Sequence, residues 1–302
     1  MKVLITGATG LIGSELVNLC HKQNIDVNYL TTSKNKIVSN PNYSGFYWNP
    51  ENQEIDSNCF KGVTSIINLA GAPISKRWTP SYKQKVLSSR VNALRTLYTA
   101  LEKVDSSAIA SFISASGIGV YPSSFNKYYA EDEIKIDKSF LGDVVKAWET
   151  ETDAFKKFPF KVSKIRIGVV LSSKGGALVE MARPIQYFVG AAFGNGKQWQ
   201  SWIHITDLTR MFLFAVEHNL EGVYNGVAPN PVTNSKLVKE IAKVLKRPIF
   251  LPNIPKIVMK TILGEMAYLV FASQRVSSKK IEEQGFTFQH RNVGKALENI
   301  YQ

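Results

Sequence analysis

The sequence predicts an α/β protein in which a doubly wound parallel sheet is joined by a smaller, mostly helical C-terminal cap. Over roughly the first 120 residues, short apolar runs alternate with helical patterns, which is typical of βαβ units around a parallel sheet. A glycine-rich turn joins the first apolar run to the first helical pattern. Beyond about residue 170, glycines and prolines interrupt the alternation, so we expect the later segments to form the cap.

The regular part of the chain predicts six strands and three helices. The fourth strand is apolar and β-branched at Ile66 and Ile67, as expected for a central parallel strand. Pro80 opens the longest helix, at a position where a backbone N–H has no helical partner. The predicted strands are Lys2–Thr6, Val27–Thr31, Gly45–Trp48, Val63–Leu69, Ala108–Ala115 and Phe160–Val170, and the predicted helices are Leu11–Gln23, Pro80–Glu102 and Phe140–Phe158.

The later part of the chain predicts a different organisation. Helices are expected at Ala177–Val189, Asp207–His218 and Thr233–Lys246, with one short strand at Gly222–Gly226 and short helices after Pro248. We therefore predict a nucleotide-binding domain at 1–170, completed by about 202–228. Residues 171–201 and 229–302 would form a substrate-binding cap, with a small-molecule substrate in the cleft between the two parts.

Composition narrows the class of partners. The net charge is +13, but the lysines are spread along the chain without a block of five or six cations, which indicates a basic solvated surface. We expect no nucleic-acid partner, because no recognised nucleic-acid-binding motif is present. No run approaches the roughly 20 apolar residues of a membrane span, so no membrane partner and a cytoplasmic location are expected. Two cysteines and four scattered histidines predict no metal site.

The first turn, Thr6-Gly7-Ala8-Thr9-Gly10-Leu11-Ile12-Gly13, lies between a strand and a helix, as a Rossmann-type dinucleotide site requires. Glycines allow a tight turn and close approach of the pyrophosphate, which free helix N–H groups would then bind. Gly13 would allow the helix to pack closely on the strand. The predicted cofactor contacts in this turn are Gly7, Thr9, Gly10, Leu11 and Ile12.

The spacing of these glycines, G-x-x-G-x-x-G, resembles the turn of extended short-chain dehydrogenases/reductases. Further segments resemble the atypical branch called epimerase family proteins, and the similarity runs along essentially the whole chain. This resemblance implies a dinucleotide cofactor and a C-terminal cap of unassigned function, without defining a substrate. The segments are Ile67–Gly71 with Pro73-Ile74, Lys76–Trp78, Arg166–Leu171, Trp202–Ile205 with Asp207-Leu208, Tyr224–Pro229 and Gly285-Phe286.

The end of the second strand predicts the cofactor. NAD sites place a carboxylate there for the ribose hydroxyls, whereas Thr31-Thr32-Ser33-Lys34 offers none. We therefore expect NADP(H), with NAD(H) as the alternative, and Thr32, Ser33 and Lys34 near the 2′-phosphate. Related proteins often carry arginine at the position of Thr32, and Lys34 reads equally well as a solvated loop lysine.

Small residues after the fourth strand, Leu69, Ala70 and Gly71, would let the chain pass beside the cofactor. The resemblance adds four more predicted cofactor contacts. Arg90 is the least certain of them, since an arginine on the surface of the long helix explains it at least as well. The added residues are Arg90, Ser114, Gly168 and Val169.

The resemblance also implies a catalytic centre, of which one part is missing. The parent superfamily uses a serine after the fifth strand, matched by Ser116, with a Tyr-x-x-x-Lys pair whose tyrosinate accepts a proton. Here Leu141 and Val145 stand where that pair belongs. Tyr121 is the first candidate to replace it; structural explanations serve equally well for it and for Tyr128, Tyr129 and Lys146. His204 is favoured as a structural residue over a general base, and Asp207 as the cap of its own helix.

Two functions remain open at this point. One is an NADP(H)-dependent oxidoreductase or epimerase acting on a hydroxyl-bearing small molecule, such as a nucleotide sugar. The other is a catalytically quiet NADP(H)-binding sensor or interaction protein, and whether the chain is an enzyme is left undecided. A homodimer is possible through the helix pair at Tyr82–Glu102 and Phe140–Phe158.

Overall fold

A computed structural model describes all 302 residues. Most strands of the first half coincide with apolar runs of the sequence. The strands are β1 (Lys2–Thr6), β2 (Asp26–Thr31), β3 (Ser39–Asn40), β4 (Tyr43–Asn49), β5 (Glu54–Ile55), β6 (Ser65–Asn68), β7 (Ser111–Gly117), β8 (Tyr128–Tyr129), β9 (Lys161–Ile167), β10 (Val169–Leu171), β11 (Trp199–Gln200), β12 (Trp202–His204), β13 (Gly222–Gly226), β14 (Val232–Thr233) and β15 (Arg275–Val276).

Helices separate most of the long strands, and side-chain caps fix several of their starts. Thr79 accepts a hydrogen bond from Tyr82 N, and Ser139 accepts one from Gly142 N. No helix combines the length and the apolar content needed to cross a membrane. The helices are α1 (Leu11–Lys22), α2 (Pro80–Leu101), α3 (Phe140–Asp153), α4 (Ala177–Gln186), α5 (Ile205–Glu217), α6 (Asn234–Val244), α7 (Lys256–Leu263), α8 (Tyr268–Phe271), α9 (Lys279–Glu283) and α10 (Val293–Tyr301).

The main sheet confirms the predicted doubly wound architecture. Its strands run in the order β13-β9-β7-β6-β1-β2-β4-β3, with β5 paired to β4. All neighbours from β13 to β4 are parallel, for example Val3 beside Val27 on one side and beside Ser65 on the other. The carboxyl ends of β1, β2, β6, β7 and β9 therefore meet at one edge, where ligands of such sheets bind.

Two hydrophobic cores hold most of the buried apolar residues, and a third cluster of 7 buried residues includes Tyr121. The larger core has 43 buried residues from the sheet and from helices on both of its faces, with α1 and α5 on one face and α2 and α3 on the other. The smaller core has 13 buried residues, contributed mainly by β10, α4, α6 and α10. The mostly helical later segments thus have a core of their own, as a cap requires.

Two segments depart from the predicted boundaries. The sixth strand does not run unbroken to Val170, because it leaves the main sheet after Ile167 and β10 pairs instead with β12. Part of the segment predicted as cap also returns to the main domain, since Ile281, Phe286 and Phe288 belong to the larger core. The domain division by residue number stays a prediction.

The junction between β12 and α5 corrects another expectation. His204, not Asp207, caps α5: its Nδ1 accepts a hydrogen bond from Thr206 N at 3.1 Å. Asp207 is fully buried and accepts hydrogen bonds from Gln289 N at 2.9 Å and His290 N at 2.8 Å. Its carboxylate therefore ties the C-terminal segment to the main domain, with Arg210 as its charged partner at 2.9 Å.

Candidate functional site

The first turn has two glycines that the protein's own packing requires. Gly7 has φ +70°, and a Cβ there would lie 2.9 Å from the carbonyl of Leu69. A Cβ on Gly13 would lie 2.1 Å from Gly7 O. No side chain fits at either position, so both glycines serve the close packing of α1, β1 and the end of β6.

Gly10 differs from both. Its φ of −82° is open to any residue. A Cβ on Gly10 would meet only Gly7 O, at 3.2 Å, and otherwise open space. Gly10 and Thr9 are exposed, while Leu11 and Ile12 are half-buried at the start of α1. The free N–H groups of this helix end therefore face a space that glycine keeps open, as an anion site requires.

A ladder of polar side chains fixes the strand ends beneath this turn. Thr6 Oγ1 donates to Asn68 Oδ1 at 2.7 Å, and Asn68 Nδ2 donates to Ser114 Oγ at 3.1 Å. Ser114 is fully buried and donates to the carbonyl of Ala115. The Ser114 hydroxyl is thus occupied inside the sheet and is not presented to a ligand, in contrast to its predicted role.

The end of β2 lies beside the first turn, as expected. Thr32 and Lys34 are exposed and Ser33 is half-buried, with Ser33 N bonded to Thr31 Oγ1 at 3.2 Å. The Lys34 ammonium lies 5.0 Å from the centre of the Tyr47 ring and has no carboxylate partner. A hydroxyl and an unpaired cation thus stand where an adenosine ribose would lie.

Arg90 is buried, which overturns its interpretation as a helix-surface residue. Its guanidinium lies 4.9 Å from the centre of the Trp148 ring and donates to the carbonyls of Val86 and Ala72, without any carboxylate partner. Burial lowers the pKa of Arg90 to about 10. Arg90 Nε and Trp148 Nε1 are both buried without an acceptor. These two donors are therefore open to a bound water or ligand.

Residues 69–71 connect the first turn with Arg90. A Cβ on Gly71 would lie 3.0 Å from Arg90 Cζ, and the carbonyl of Leu69 borders Gly7. The structure thus brings the first turn, the small residues at 69–71 and Arg90 together along one edge. Gly168 follows β9 and Val169 begins β10; both are half-buried, and Val169 N donates to Ser201 O at 2.8 Å.

Ser116 stands at the start of a buried polar network. Its Oγ donates to Glu149 Oε1 at 2.6 Å, and Arg166 binds both oxygens of Glu149, at 2.8 Å and 2.9 Å. Burial alone would raise the pKa of Glu149, but Arg166, Ser116 and Lys164 together hold it below its ordinary value. Glu149 is therefore a carboxylate, and Ser116 has lone pairs free to accept a hydrogen bond.

Tyr121 closes the other end of the network. Its hydroxyl donates to Asn225 Oδ1 at 2.7 Å and accepts from Arg166 Nη1 at 3.0 Å. Burial raises the pKa of Tyr121 to about 12, although Arg166 acts in the opposite direction. Both the geometry and the pKa oppose the predicted role of Tyr121 as a proton acceptor.

The missing pair leaves an apolar surface in its place. A Cβ on Gly119 would lie 3.2 Å from Leu141 Cβ, and one on Gly117 would lie 3.5 Å from Val145 Cγ2. Leu141 and Val145 thus face the turn after β7. They occupy the two positions at which the parent superfamily has its tyrosine and lysine. Lys146 is exposed, and Tyr129 stacks on Tyr121 at 5.2 Å, so neither takes over that position.

Glu149 and Arg166 were not predicted as site residues. A signal for them was present: Lys164 and Arg166 alternate along a strand that is otherwise largely apolar. Charged side chains on one face of a buried strand require a partner. Glu149, one residue after Trp148 on the buried face of α3, supplies it.

Two family models and several known proteins match this chain. Residues 3–138 match the NAD dependent epimerase/dehydratase family, and residues 254–300 match a domain of unknown function. An epimerase family protein of Staphylococcus aureus is 35% identical over 98% of each chain, and one of Staphylococcus haemolyticus is 36% identical over 98% of each.

Several solved structures are also similar to this chain. The human epimerase family protein SDR39U1, crystallised with NADPH, has a TM-score of 0.85 and 27% identity, covering 100% of this chain and 99% of that one. A nucleoside-diphosphate sugar epimerase of Corynebacterium glutamicum has a TM-score of 0.79 and 27% identity, over 100% of this chain and 58% of that one. UDP-glucuronic acid 4-epimerase of Bacillus cereus with NAD, at 17% identity and a TM-score of 0.79, is similar in fold.

Proposed function

This chain belongs to the epimerase family of extended short-chain dehydrogenases/reductases, and on that premise we propose that it binds NADP(H) and acts on a hydroxyl-bearing small molecule. The observation that carries the proposal is the end of β2. It presents Thr32, Ser33 and the unpaired Lys34, and no carboxylate. A 2′-phosphate would find hydrogen-bond donors and a cation there. The carboxylate that accepts a hydrogen bond from the ribose 2′-hydroxyl in NAD sites is missing.

The rest of the edge fits a dinucleotide. The space over Gly10 and the free N–H groups of α1 would accept the pyrophosphate. Arg90 and Trp148 offer buried donors on the same edge. The NADPH in the human relative supports the choice of cofactor. Gly168 and Val169, directly after β9, remain proposed contacts.

Ser116 and Glu149 are the residues to which we assign the proton transfer. A bound nicotinamide would supply the hydride acceptor or donor. The substrate hydroxyl would donate its proton to Ser116 Oγ as the Ser116 proton moves to Glu149 Oε1, 2.6 Å away. Because Arg166 stabilises the Glu149 carboxylate, this base is weak and the step is slow. Tyr121 then acts as a positioning residue that holds Arg166.

The cofactor assignment is tested by calorimetry with NADPH and NADH. We expect NADPH to bind at least several-fold more tightly to the native chain. Lys34→Ala should lose most of that preference, because it removes a charge–phosphate contact while leaving the NADH affinity nearly unchanged. Lys61→Ala, an exposed lysine on another loop, is the matched control. Equal affinities in the native chain, or full preference in Lys34→Ala, would refute the assignment.

A second arm of the same experiment tests Arg90. Arg90→Met keeps most of the buried volume and removes a cation that has no carboxylate partner, so the fold should be as stable as the native one or more so. Affinity for both cofactors should fall together, by tenfold or more. If thermal stability falls instead and affinity is kept, Arg90 is a structural residue.

A catalytically quiet NADP(H)-binding protein is the second candidate function. It is favoured by Leu141 and Val145 in place of the proton-transfer pair and by the raised pKa of Tyr121. Oxidation of bound NADPH by carbonyl compounds separates the two functions. If the chain is an enzyme, we expect slow turnover that Ser116→Ala abolishes, without a steep rise between neutral and alkaline pH. Fast turnover unaffected by Ser116→Ala would contradict the assignment of Ser116.

The finer predictions are proposals of the same kind. The cleft between the carboxyl edge of the sheet and the cap would take a substrate of the nucleotide-sugar type. A homodimer would form through the outer faces of α2 and α3, which pack side by side. The cytoplasmic location also stays a prediction.

A further inference from the structure

An exposed apolar surface lies on the later part of the chain, around α7. Six large apolar side chains of two neighbouring segments and of helix α7 are exposed, and we call them the cap patch. Tyr187 is 73% exposed, Phe250 66%, Ile257 72% and Ile262 61%. The cap patch comprises Tyr187, Phe188, Phe250, Ile257, Val258 and Ile262. Exposed apolar clusters of this kind mark interaction surfaces.

The two segments are adjacent in space. Ile254 N donates to Ala192 O at 2.8 Å, and Gly194 N donates to Ile254 O at 2.9 Å. The Arg247 guanidinium lies 4.9 Å from the centre of the Phe188 ring. Residues 187–194 and 247–254 therefore run side by side, and α7 follows directly from them.

Helix α7 presents an apolar face to solvent. At about 100° per residue, Ile257, Val258 and Ile262 fall within about 140° of the helix circumference. Met259 is the one buried residue of the helix and lies on the opposite side. Lys260 is exposed and borders the apolar face, about 60° from Ile257 around the helix. Lys256 is also exposed but lies about 100° from Ile257, with its ammonium 5.6 Å from the centre of the Phe271 ring. The helix is therefore amphipathic with its apolar side outward, the reverse of what packing on the cap would require.

The segment that contains α7 carries charge of only one sign. From Ile241 to Gly264 the chain has no aspartate or glutamate, and its five cations are all exposed. None of the five forms a salt bridge. They are Lys243, Lys246, Arg247, Lys256 and Lys260.

We propose that the cap patch docks on the surface of an anionic lipid bilayer. On such a surface the exposed apolar side chains would contact the acyl chains. The lysines and the arginine around them would contact the anionic headgroups. A second copy of this chain fits less well, because a two-fold contact would bring five cations against five. The proposal concerns a surface contact, since no helix spans a membrane. It revises the expectation of no membrane partner and is independent of the proposed function.

Co-sedimentation of the full chain with vesicles tests this. We expect binding to vesicles containing phosphatidylglycerol, little binding to pure phosphatidylcholine, and weakening by salt. Lys256→Glu/Lys260→Glu and Ile257→Ser/Ile262→Ser should each bind at least tenfold more weakly. Lys22→Glu/Lys103→Glu makes the same change in net charge at exposed lysines elsewhere, and Ile134→Ser removes an apolar side chain that is 92% exposed; both should bind like the native chain.

A labelled variant reports the contact directly. Cys20 and Cys59 are buried, so Ile257→Cys can carry a single environment-sensitive dye whose emission should shift to the blue with phosphatidylglycerol vesicles. All substituted side chains are exposed, so melting temperatures should match the native one. Absence of binding to anionic vesicles overturns the proposal. So does an equal loss in patch and control variants, which would mean attraction by net charge alone. Self-association that depends on the patch, or capture of a protein without vesicle binding, would assign the surface to another occupant.

Discussion

Three glycines open the first turn, and each is required for a different reason. Gly7 adopts a positive φ, a Cβ on Gly13 would lie only 2.1 Å from the Gly7 carbonyl oxygen, and Gly10 has neither constraint. The first two therefore belong to the fold. Gly10 is the one whose missing side chain leaves room for something that is not part of the protein.

Substituting two of these glycines separates folding from binding. Gly10→Val should lower stability by about 1 kcal/mol at most, because its backbone angles suit any residue, yet abolish cofactor binding by filling the pyrophosphate space. Gly13→Ala should destabilise by about 2 kcal/mol or more, because the clash is with backbone atoms. Thermal melts and NADPH titrations on both variants provide the measurement. A folded Gly10→Val that binds NADPH tightly would place the phosphate site elsewhere.

The sequence predicted the glycine turn because the strand, turn and helix are contiguous. Arg90 shows where such reasoning stops. Its position on a helix was clear, but which way it faces depends on Trp148, 58 residues later in the chain, and on Gly71. Only the packed structure reveals that its Nε has no acceptor.

At the scale of elements, the buried charges connect three of them. Ser116 belongs to β7, Glu149 to α3 and Arg166 to β9, so the Glu149 carboxylate holds a helix against two strands. Glu149 lies 33 positions after Ser116 and 17 positions before Arg166 in the sequence. No local pattern could pair them, and the sequence therefore assigned Ser116 without its partner.

Two glutamates on α3 provide a matched comparison. In Glu149→Gln, Arg166 stays buried but loses the negative charge that pairs with its guanidinium. We therefore expect destabilisation of about 3–5 kcal/mol. Glu151→Gln breaks a pair in which Arg95 is largely exposed, and should change stability by less than about 1 kcal/mol. Urea unfolding of both variants measures the difference. Similar losses in the two would mean that the buried network contributes no more than a surface ion pair.

At the scale of the whole molecule, the main sheet and the cap are linked where β12 meets α5. His204 is buried there and its ring stacks on His290 at 3.8 Å. Burial, together with the neighbouring His290, lowers the pKa of His204 to about 4. The fold class and the existence of a cap were predictable from the order of elements. This link was not, because it joins segments some 80 residues apart.

The pKa of His204 predicts a pH dependence of stability. In the unfolded chain a histidine takes up a proton near pH 6.5, whereas folded His204 does so only near pH 4. Between these values the unfolded state binds more protons, so stability falls as pH is lowered, by up to about 3 kcal/mol at pH 4. His204→Asn keeps a capping acceptor for Thr206 N and should reduce this slope in thermal melts. His218→Asn, at an exposed histidine, should leave the slope unchanged; equal slopes in all three proteins would contradict the assignment.

The buried carboxylate of Asp207 has a consequence for synthesis of the chain. Its two backbone donors, Gln289 N and His290 N, lie 82 and 83 positions later in the chain, so they are synthesised well after α5. Until then Arg210 is the one partner of Asp207. Burying the first turn of α5 at that stage would bury the Asp207 carboxylate without its two backbone hydrogen bonds, which is unfavourable. During synthesis the nucleotide-binding domain is therefore completed only after Gln289 and His290 have been made, although the strands of that domain end at residue 226.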